Sequence, residues 1–237
     1  MFANHTVTET LKQTTTEAIL AGERVYLHPH AALYWERAAT LVVADLHLGK
    51  ATHFRRHGLA VPQYVQDETL EKLSGLLLDV RPRRLLMLGD LFHSDYNEEW
   101  EDFADLVLGF ENVDFELVPG NHDRLTHHQF AKYGIAVHPE PYVEGPFAFS
   151  HHPYSLKQLV AELGEAGAQG LYNLGGHVHP AARLHGRGDR LKLPCFFFGR
   201  EAGLMPAFGS FTGNYTVQPR RGDRVFVLAG DRVVKVG

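Results

Sequence analysis

Leu41-Val42-Val43-Ala44-Asp45-Leu46-His47 decides the reading of this chain: four apolar residues run directly into an Asp-x-His triplet. Short apolar runs bounded by turn signals read as strands, here mostly buried on both faces. The arrangement recurs. Leu85-Leu86-Met87-Leu88 leads to Gly89-Asp90, and Phe115-Glu116-Leu117-Val118 leads to Gly120-Asn121-His122-Asp123. Phe147-Ala148-Phe149 leads to His151-His152, and Leu171-Tyr172-Asn173-Leu174 to Gly176-His177-Val178-His179. Every motif offers oxygen or imidazole donors and none a thiolate, which suits divalent transition metals. Polar ligands gathered where buried strands run out are the pattern of a site on an open α/β sheet.

Outward from these strands the chain alternates. Arg24–His28 and Ala32–Trp35, separated by a His-Pro-His turn, predict a hairpin before the first motif. A helix is expected after Pro62, with apolar residues at Val65, Leu70, Leu73, Leu76 and Leu77, ending at Arg81-Pro82. Asn97 can cap a second helix running to about Gly109. Further helices are expected near Leu125–Tyr133 and Ser155–Leu163. After the fifth motif the chain turns strand-rich, with candidates at Cys195–Phe198, Phe208–Phe211, Val225–Leu228 and Val233–Val236. Alternating strands and helices followed by strands predict an α/β sandwich of two sheets with helices outside. Residues 1–20, polar and Thr-rich, are expected to be a flexible tail, and 21–237 one domain.

Composition bounds the function. The 237 residues are 44% hydrophobic and 22% charged, with a net charge of −5. Nothing global advertises nucleic acid or a membrane, although a local basic patch suffices for the former. A single cysteine, Cys195, excludes an internal disulfide framework and suits a reducing compartment. It sits in the apolar run Pro194–Phe198 and reads as packing. No apolar run reaches membrane-spanning length, and no secretory signal is legible, so a cytoplasmic location is expected.

The motifs carry the chemistry. Residues two apart on a strand share a side, so Asp45 and His47 are expected to grip one metal from a strand end, and His177 and His179 to repeat that logic. Asp90 follows Gly89, which permits a tight turn and close backbone approach, and its carboxylate could bridge two cations. Asn121 offers a neutral carbonyl oxygen, and His122 beside it is free to face a substrate. Either His151 or His152 could be a ligand; His151 comes first off the strand and is favoured.

This series, from Leu41 to Pro180, resembles the calcineurin-like metallophosphoesterase superfamily. The resemblance implies a sandwich of two mixed β-sheets flanked by helices. It implies one metal held by Asp45, His47, Asp90 and His179, and a second held by Asp90, Asn121, His151 and His177. His122 would be the catalytic histidine beside the leaving group, with Asp123 orienting it through the other ring nitrogen. Two cations about 4 Å apart would make a water acidic enough to attack phosphorus in line. His122 would stabilise the developing charge or protonate the departing oxygen.

A narrower resemblance rests on Asp45-Leu46-His47-Leu48-Gly49-Lys50, Phe54-Arg55, Gly58, Val61-Pro62 and Gly89-Asp90-Leu91-Phe92-His93-Ser94. Leu193–Gly199 and Pro206-Ala207-Phe208-Gly209-Ser210-Phe211-Thr212-Gly213 extend it. These strings are similar to the ligase-associated DNA-repair endonuclease branch of bacterial metallophosphoesterases. That likeness implies a manganese-dependent phosphodiesterase acting on single-stranded DNA, with a repair ligase or helicase as partner. Iron, cobalt or zinc would also suit the ligand set. In the residues themselves, Lys50, Arg55 and Arg56 form a basic loop beside the first motif that could track a phosphate backbone. His93 and His152 would face substrate. The alternative is a phosphatase, pyrophosphatase or cyclic phosphodiesterase acting on nucleotides or other small phosphate esters, since metal chemistry alone does not separate diester from monoester. A protein serine/threonine phosphatase is disfavoured, because Leu91-Phe92-His93-Ser94 stands where those enzymes carry Asp-Arg-Gly.

Overall fold

The computed structural model describes residues 9–49, 64–92, 98–123, 125–185, 190–210 and 213–236. Two mixed β-sheets face each other, with helices on the outside. The first sheet has strands β1 (Thr16–Leu20), β2 (Glu23–His28), β3 (Ala32–Trp35), β4 (Thr40–Ala44), β5 (Arg84–Leu88), β6 (Asp114–Val118) and β7 (Ile135–Val137) in that spatial order. The first four pair antiparallel and the rest continue parallel. Helices α2 (Tyr64–Val80), α3 (Glu98–Gly109) and α4 (His127–Lys132) make the parallel crossovers, and α1 (Glu9–Thr14) precedes β1.

The second sheet contains β8 (Tyr142–Glu144), β9 (Phe147–Ser150), β10 (Tyr172–Gly175), β11 (Pro180–His185), β12 (Arg190–Phe198), β13 (Ala202–Leu204) and β14 (Tyr215–Thr216). Strand β15 (Arg224–Ala229) pairs with β12 and with β16 (Arg232–Val236). Helix α5 (Leu156–Ala168) links β9 to β10, and these pair parallel.

Burial explains the reading of the motif strands. Alternate residues point to opposite faces of a strand. Val42, Ala44, Leu86, Leu88 and Val118 turn inward against Phe147, Phe149, Leu174, Phe196 and Phe226 of the second sheet. Leu41, Val43, Leu85, Met87 and Leu117 turn outward against Leu73, Leu77, Trp100 and Phe103 of the helices. With both faces covered, these strands must be apolar throughout. At full burial each such side chain contributes about 1.5–3 kcal/mol.

Two expectations need correction, and several short strands had not been expected. The tail boundary at residue 20 cuts through structure, because Thr16–Leu20 pairs with β2 along its whole length. Ala18 and Leu20 are buried in the core between the two sheets, and Thr16 opens the strand with a β-branched side chain that favours it. Of the strand expected at Phe208–Phe211, the described residues Phe208, Gly209 and Ser210 instead form a loop laid over the first motif, and Phe211 lies outside the described residues. Strands β7, β8, β11, β13 and β14 are too short or too polar to announce themselves by periodicity.

Candidate metal centre

The five motifs leave the carboxyl ends of β4, β5, β6, β9 and β10 and converge at one edge of the sandwich. Backbone bonds continue the parallel pairing beyond the strands: Asp45 N–H donates to Gly89 O (3.2 Å), His47 N–H to Asp90 O (2.9 Å) and Leu48 N–H to Leu91 O (2.9 Å). Gly176 N–H donates to His151 O (2.9 Å), joining the fourth and fifth motifs. The two halves meet where His177 N–H donates to Asp45 Oδ2 (2.8 Å).

The strand logic for the Asp-x-His and His-x-His pairs does not hold. Strand β4 ends at Ala44 and β10 at Gly175, so all four ligand candidates lie beyond the pleat. Asp45 (φ 54°), His47 (φ 50°), Asp90 (φ 48°), His177 (φ 64°) and His179 (φ 50°) all take left-handed backbone. Non-glycine residues adopt this conformation at a cost of order 1–3 kcal/mol, and such strain collects at functional sites. Its effect here is to separate neighbours. His179 turns toward His47, with Nε2 atoms 3.3 Å apart, whereas His177 turns to His151, with Nδ1 3.0 Å from Nε2.

Two groups of donor atoms result. One contains Asp45 Oδ1, His47 Nε2 and His179 Nε2; Asp45 Oδ1 lies 3.6 Å from His179 Nε2. The other contains His151 Nε2, Asn121 Oδ1 (3.1 Å away) and His177 Nδ1. Asp90 stands between them, with Oδ2 4.0 Å from His47 Nε2 and Oδ1 3.5 Å from His151 Nε2. Asp45, Asp90 and His151 are buried together. Asp45 Oδ1 has no hydrogen-bond partner among the described residues. A buried carboxylate oxygen left without a donor is costly, and a cation among these atoms removes the cost.

The histidine tautomers favour metal as well. His179 Nδ1–H donates to Gly213 O (2.9 Å), and His151 Nδ1 faces Leu88 O at 3.4 Å. A ring nitrogen committed to a carbonyl leaves the other nitrogen's lone pair free for a metal. Burial first, then His151 and His152, pushes the His177 imidazole below its ordinary pKa, which also keeps its nitrogens available. His152 is exposed. Its N–H donates to Glu140 Oε1 (2.8 Å) and its ring lies 4.4 Å from that of His177. His152 still brings a ring nitrogen within 4.8 Å of those of His151 and His177, but of the pair only His151 is buried and lies against Asp90 and Asn121.

His122 donates its backbone N–H to Asp90 Oδ1 (3.1 Å), and its ring stands edge-on to that of His47 at 6.2 Å. Asp123 does not brace that ring. Its carboxylate is turned under the loop, where Oδ1 accepts the N–H of Leu91 (2.9 Å) and Phe92 (3.2 Å) and Oδ2 that of Gly120 (2.8 Å). Burial pushes its pKa up to about 7 despite those three donors. Lys50, Arg55, Arg56 and His93 lie outside the described residues.

Close approach explains the glycine before Asn121. A Cβ on Gly120 would lie 2.4 Å from Asp90 Oδ1 and 2.5 Å from Asp90 N. The pattern reading missed the loop that seals the site: Phe208 N–H donates to Ala44 O (2.8 Å) and Gly209 N–H to Asp45 O (3.1 Å). Lys72, half-buried on α2, donates to Phe208 O and holds that loop down. The string Pro206–Gly213 carries the signal, as part of the narrower resemblance. Cys195 is fully buried and burial pushes its thiol up to about 12, as packing requires.

Residues 39–190 match the model of the calcineurin-like phosphoesterase family, so the chain belongs to that family and is a metal-dependent hydrolase. The fold is also that of nuclease MPE of Pseudomonas putida, at a TM-score of 0.74 and 28% identity, covering 94% of this chain and 100% of that one. AQ665 of Aquifex aeolicus, a protein of unknown function, aligns at a TM-score of 0.41 and 18% identity, over 59% of this chain and 78% of that one. Among curated proteins, none matches the sequence. No helix among the described residues is long and apolar enough to cross a membrane.

Proposed function

We propose that this chain is a two-metal phosphodiesterase that cuts single-stranded DNA, working with manganese in DNA repair. The observation that carries the two-metal reading is the Asp90 carboxylate, whose two oxygens face different histidine groups. Asp45, His47, Asp90 and His179 would hold one ion; Asp90, Asn121, His151 and His177 would hold the other. Bound there, divalent ions supply Lewis-acid activation of water and neutralise charge on phosphoryl oxygens. An imidazole and oxygen donor set without thiolate accepts manganese.

The chain's own groups do the rest. Asp90 accepts the His122 N–H, so the bridging carboxylate, on the loop after β5, and the proton donor, on the loop after β6, are held against each other. The His122 ring, beside His47, gives a proton to the departing ester oxygen. His152, exposed next to His177, contacts the substrate at the rim. The likeness to the Pseudomonas putida nuclease over 94% of the chain supports a nucleic acid as the substrate. A repair ligase or helicase as partner belongs to the same reading.

The test is direct. The purified chain with manganese is incubated with circular single-stranded DNA. Nicking to linear product is the expected result, since a circle has no ends to digest. Intact circles with every divalent metal, alongside rapid hydrolysis of nucleotides, would replace the nuclease reading with a small-molecule one.

A further inference from the structure

Strand β11 starts at Pro180, immediately after His179, and turns back through β12 as an antiparallel hairpin. Its two faces differ. Ala182, Leu184 and Leu193 belong to a cluster with Cys195, Val225 and Val227 and cover the sheet. On the opposite face Arg183 lies directly across from Lys192, and Arg190 follows two residues along β12. All three side chains are exposed, and none pairs with a carboxylate among the described residues. In a chain of net charge −5 this is a local concentration of positive charge.

Its position ties it to the metal centre. Lys192 Nζ donates to Asn214 O (2.5 Å). The residue before, Gly213, accepts from His179 Nδ1 (2.9 Å), and the residue after, Tyr215, donates its N–H to His179 O (3.0 Å). One short segment therefore anchors both a ligand candidate and the first cation of the row. Arg183 lies four residues beyond His179, roughly 13 Å along a strand. Cations two apart on one strand face are about 6.6 Å apart, a spacing that successive phosphates of an extended strand can meet.

We propose that the Arg183, Arg190 and Lys192 face of the β11–β12 hairpin binds the phosphate backbone of single-stranded nucleic acid and leads it out of the metal centre. The proposal rests on the nuclease reading for its substrate. Its residues are other than Lys50, Arg55 and Arg56, the basic residues singled out in the sequence. A row of cations tracking a backbone is how single strands are held without sequence preference.

The experiment measures binding of a fluorescent oligothymidylate to the full chain by anisotropy, over a range of salt and with a chelator present so that the strand is not cut. Each phosphate contact contributes about 0.7 to the slope of log affinity against log salt for a single strand. The triple variant Arg183→Ala, Arg190→Ala, Lys192→Ala should flatten that slope by about 2. Arg183→Lys should keep the wild-type slope, and so should Lys12→Ala, which removes an exposed cation on α1. A melting curve checks that each variant folds. Wild-type slope and affinity in the triple variant would overturn the proposal. So would an equal loss in Lys12→Ala, or no binding by the wild-type chain. Cutting assays run beside it separate the two readings. Manganese-dependent cutting with no hairpin dependence sinks the hairpin alone; hairpin-dependent binding with no cutting sinks the nuclease reading alone.

Discussion

The carboxylate of Asp123 accepts the backbone N–H of Leu91 at 2.9 Å, and so ties the loop after β6 to the loop after β5. The same carboxylate takes the N–H groups of Phe92 and Gly120. Asp90 and His122 belong to the two loops joined in this way. The residue after the catalytic candidate is thus a fastener between the motifs.

Removing that fastener has a measurable cost. Asp123→Ala leaves buried amide donors unpaired, at about 1–3 kcal/mol for each that water does not reach. Urea unfolding should show the loss, and Asp123→Asn, which keeps one acceptor oxygen, should recover part of it. Full stability with lost turnover would instead return Asp123 to the His122 ring.

Gly120→Ala tests the close approach to Asp90. The added Cβ would sit 2.4 Å from Oδ1, so the bridging carboxylate must shift. Disturbing groups that orient metal ligands lowers metal affinity by roughly 10–100-fold. Metal titration by calorimetry should show a fall of that size, with turnover falling alongside. Wild-type affinity in this variant would mean that the loop yields without moving Asp90.

The adjacent histidines should behave differently. His151 is buried between Asp90 and Asn121, while His152 is exposed beside Glu140. His151→Ala should lose one bound metal and nearly all activity. His152→Ala should keep two metals and substantial activity. A metal count by mass spectrometry that gives the reverse would exchange their roles.

His28, which is not among the candidate metal ligands, carries a pH signature of its own. It is buried in β2, accepts the His30 N–H on Nδ1 (3.1 Å), and has its pKa lowered to about 4, first by burial and then by His30 and Lys72. The unfolded chain takes up this proton near pH 6.5 and the folded chain only near 4, so stability falls as pH drops through that window. At about 1.4 kcal/mol per pKa unit the loss approaches about 3 kcal/mol. Urea unfolding of metal-free protein between pH 7 and pH 4 should show it, and His28→Gln, which cannot be charged, should lose correspondingly less. Parallel stability profiles for the two proteins would rule His28 out as the cause.

The site's membership was legible because chemistry and burial leave separate marks. Apolar runs such as Leu85–Leu88 announce strands covered on both faces, and Asp90 or Asn121 just past such a run stands out against it. Thr16–Leu20 did not stand out. Thr16 continues the polar run Thr14-Thr15 and reads as tail, and the value of Leu20 depends on packing against residues such as Trp35 and Phe147, which lie further along the chain. The loop at Phe208 was also misread, since only the fold brings the amide of Gly209 to Asp45 O.

The sequence by itself determined that each motif follows a buried strand, the donor types and the absence of thiolate among them, because these follow from residue identity and local pattern. Only the tertiary structure decided which donor meets which. A period-two strand would point Asp45 and His47 the same way, and likewise His177 and His179. The chain instead leaves the strand and enters left-handed backbone at each of them, and His177 parts from His179. That conformation is unfavourable for an isolated Asp or His. It persists because the parallel pairing of Leu48 with Phe92, the Asp123 fastener and the Phe208 loop hold it in place, and those contacts exist only once both sheets have formed.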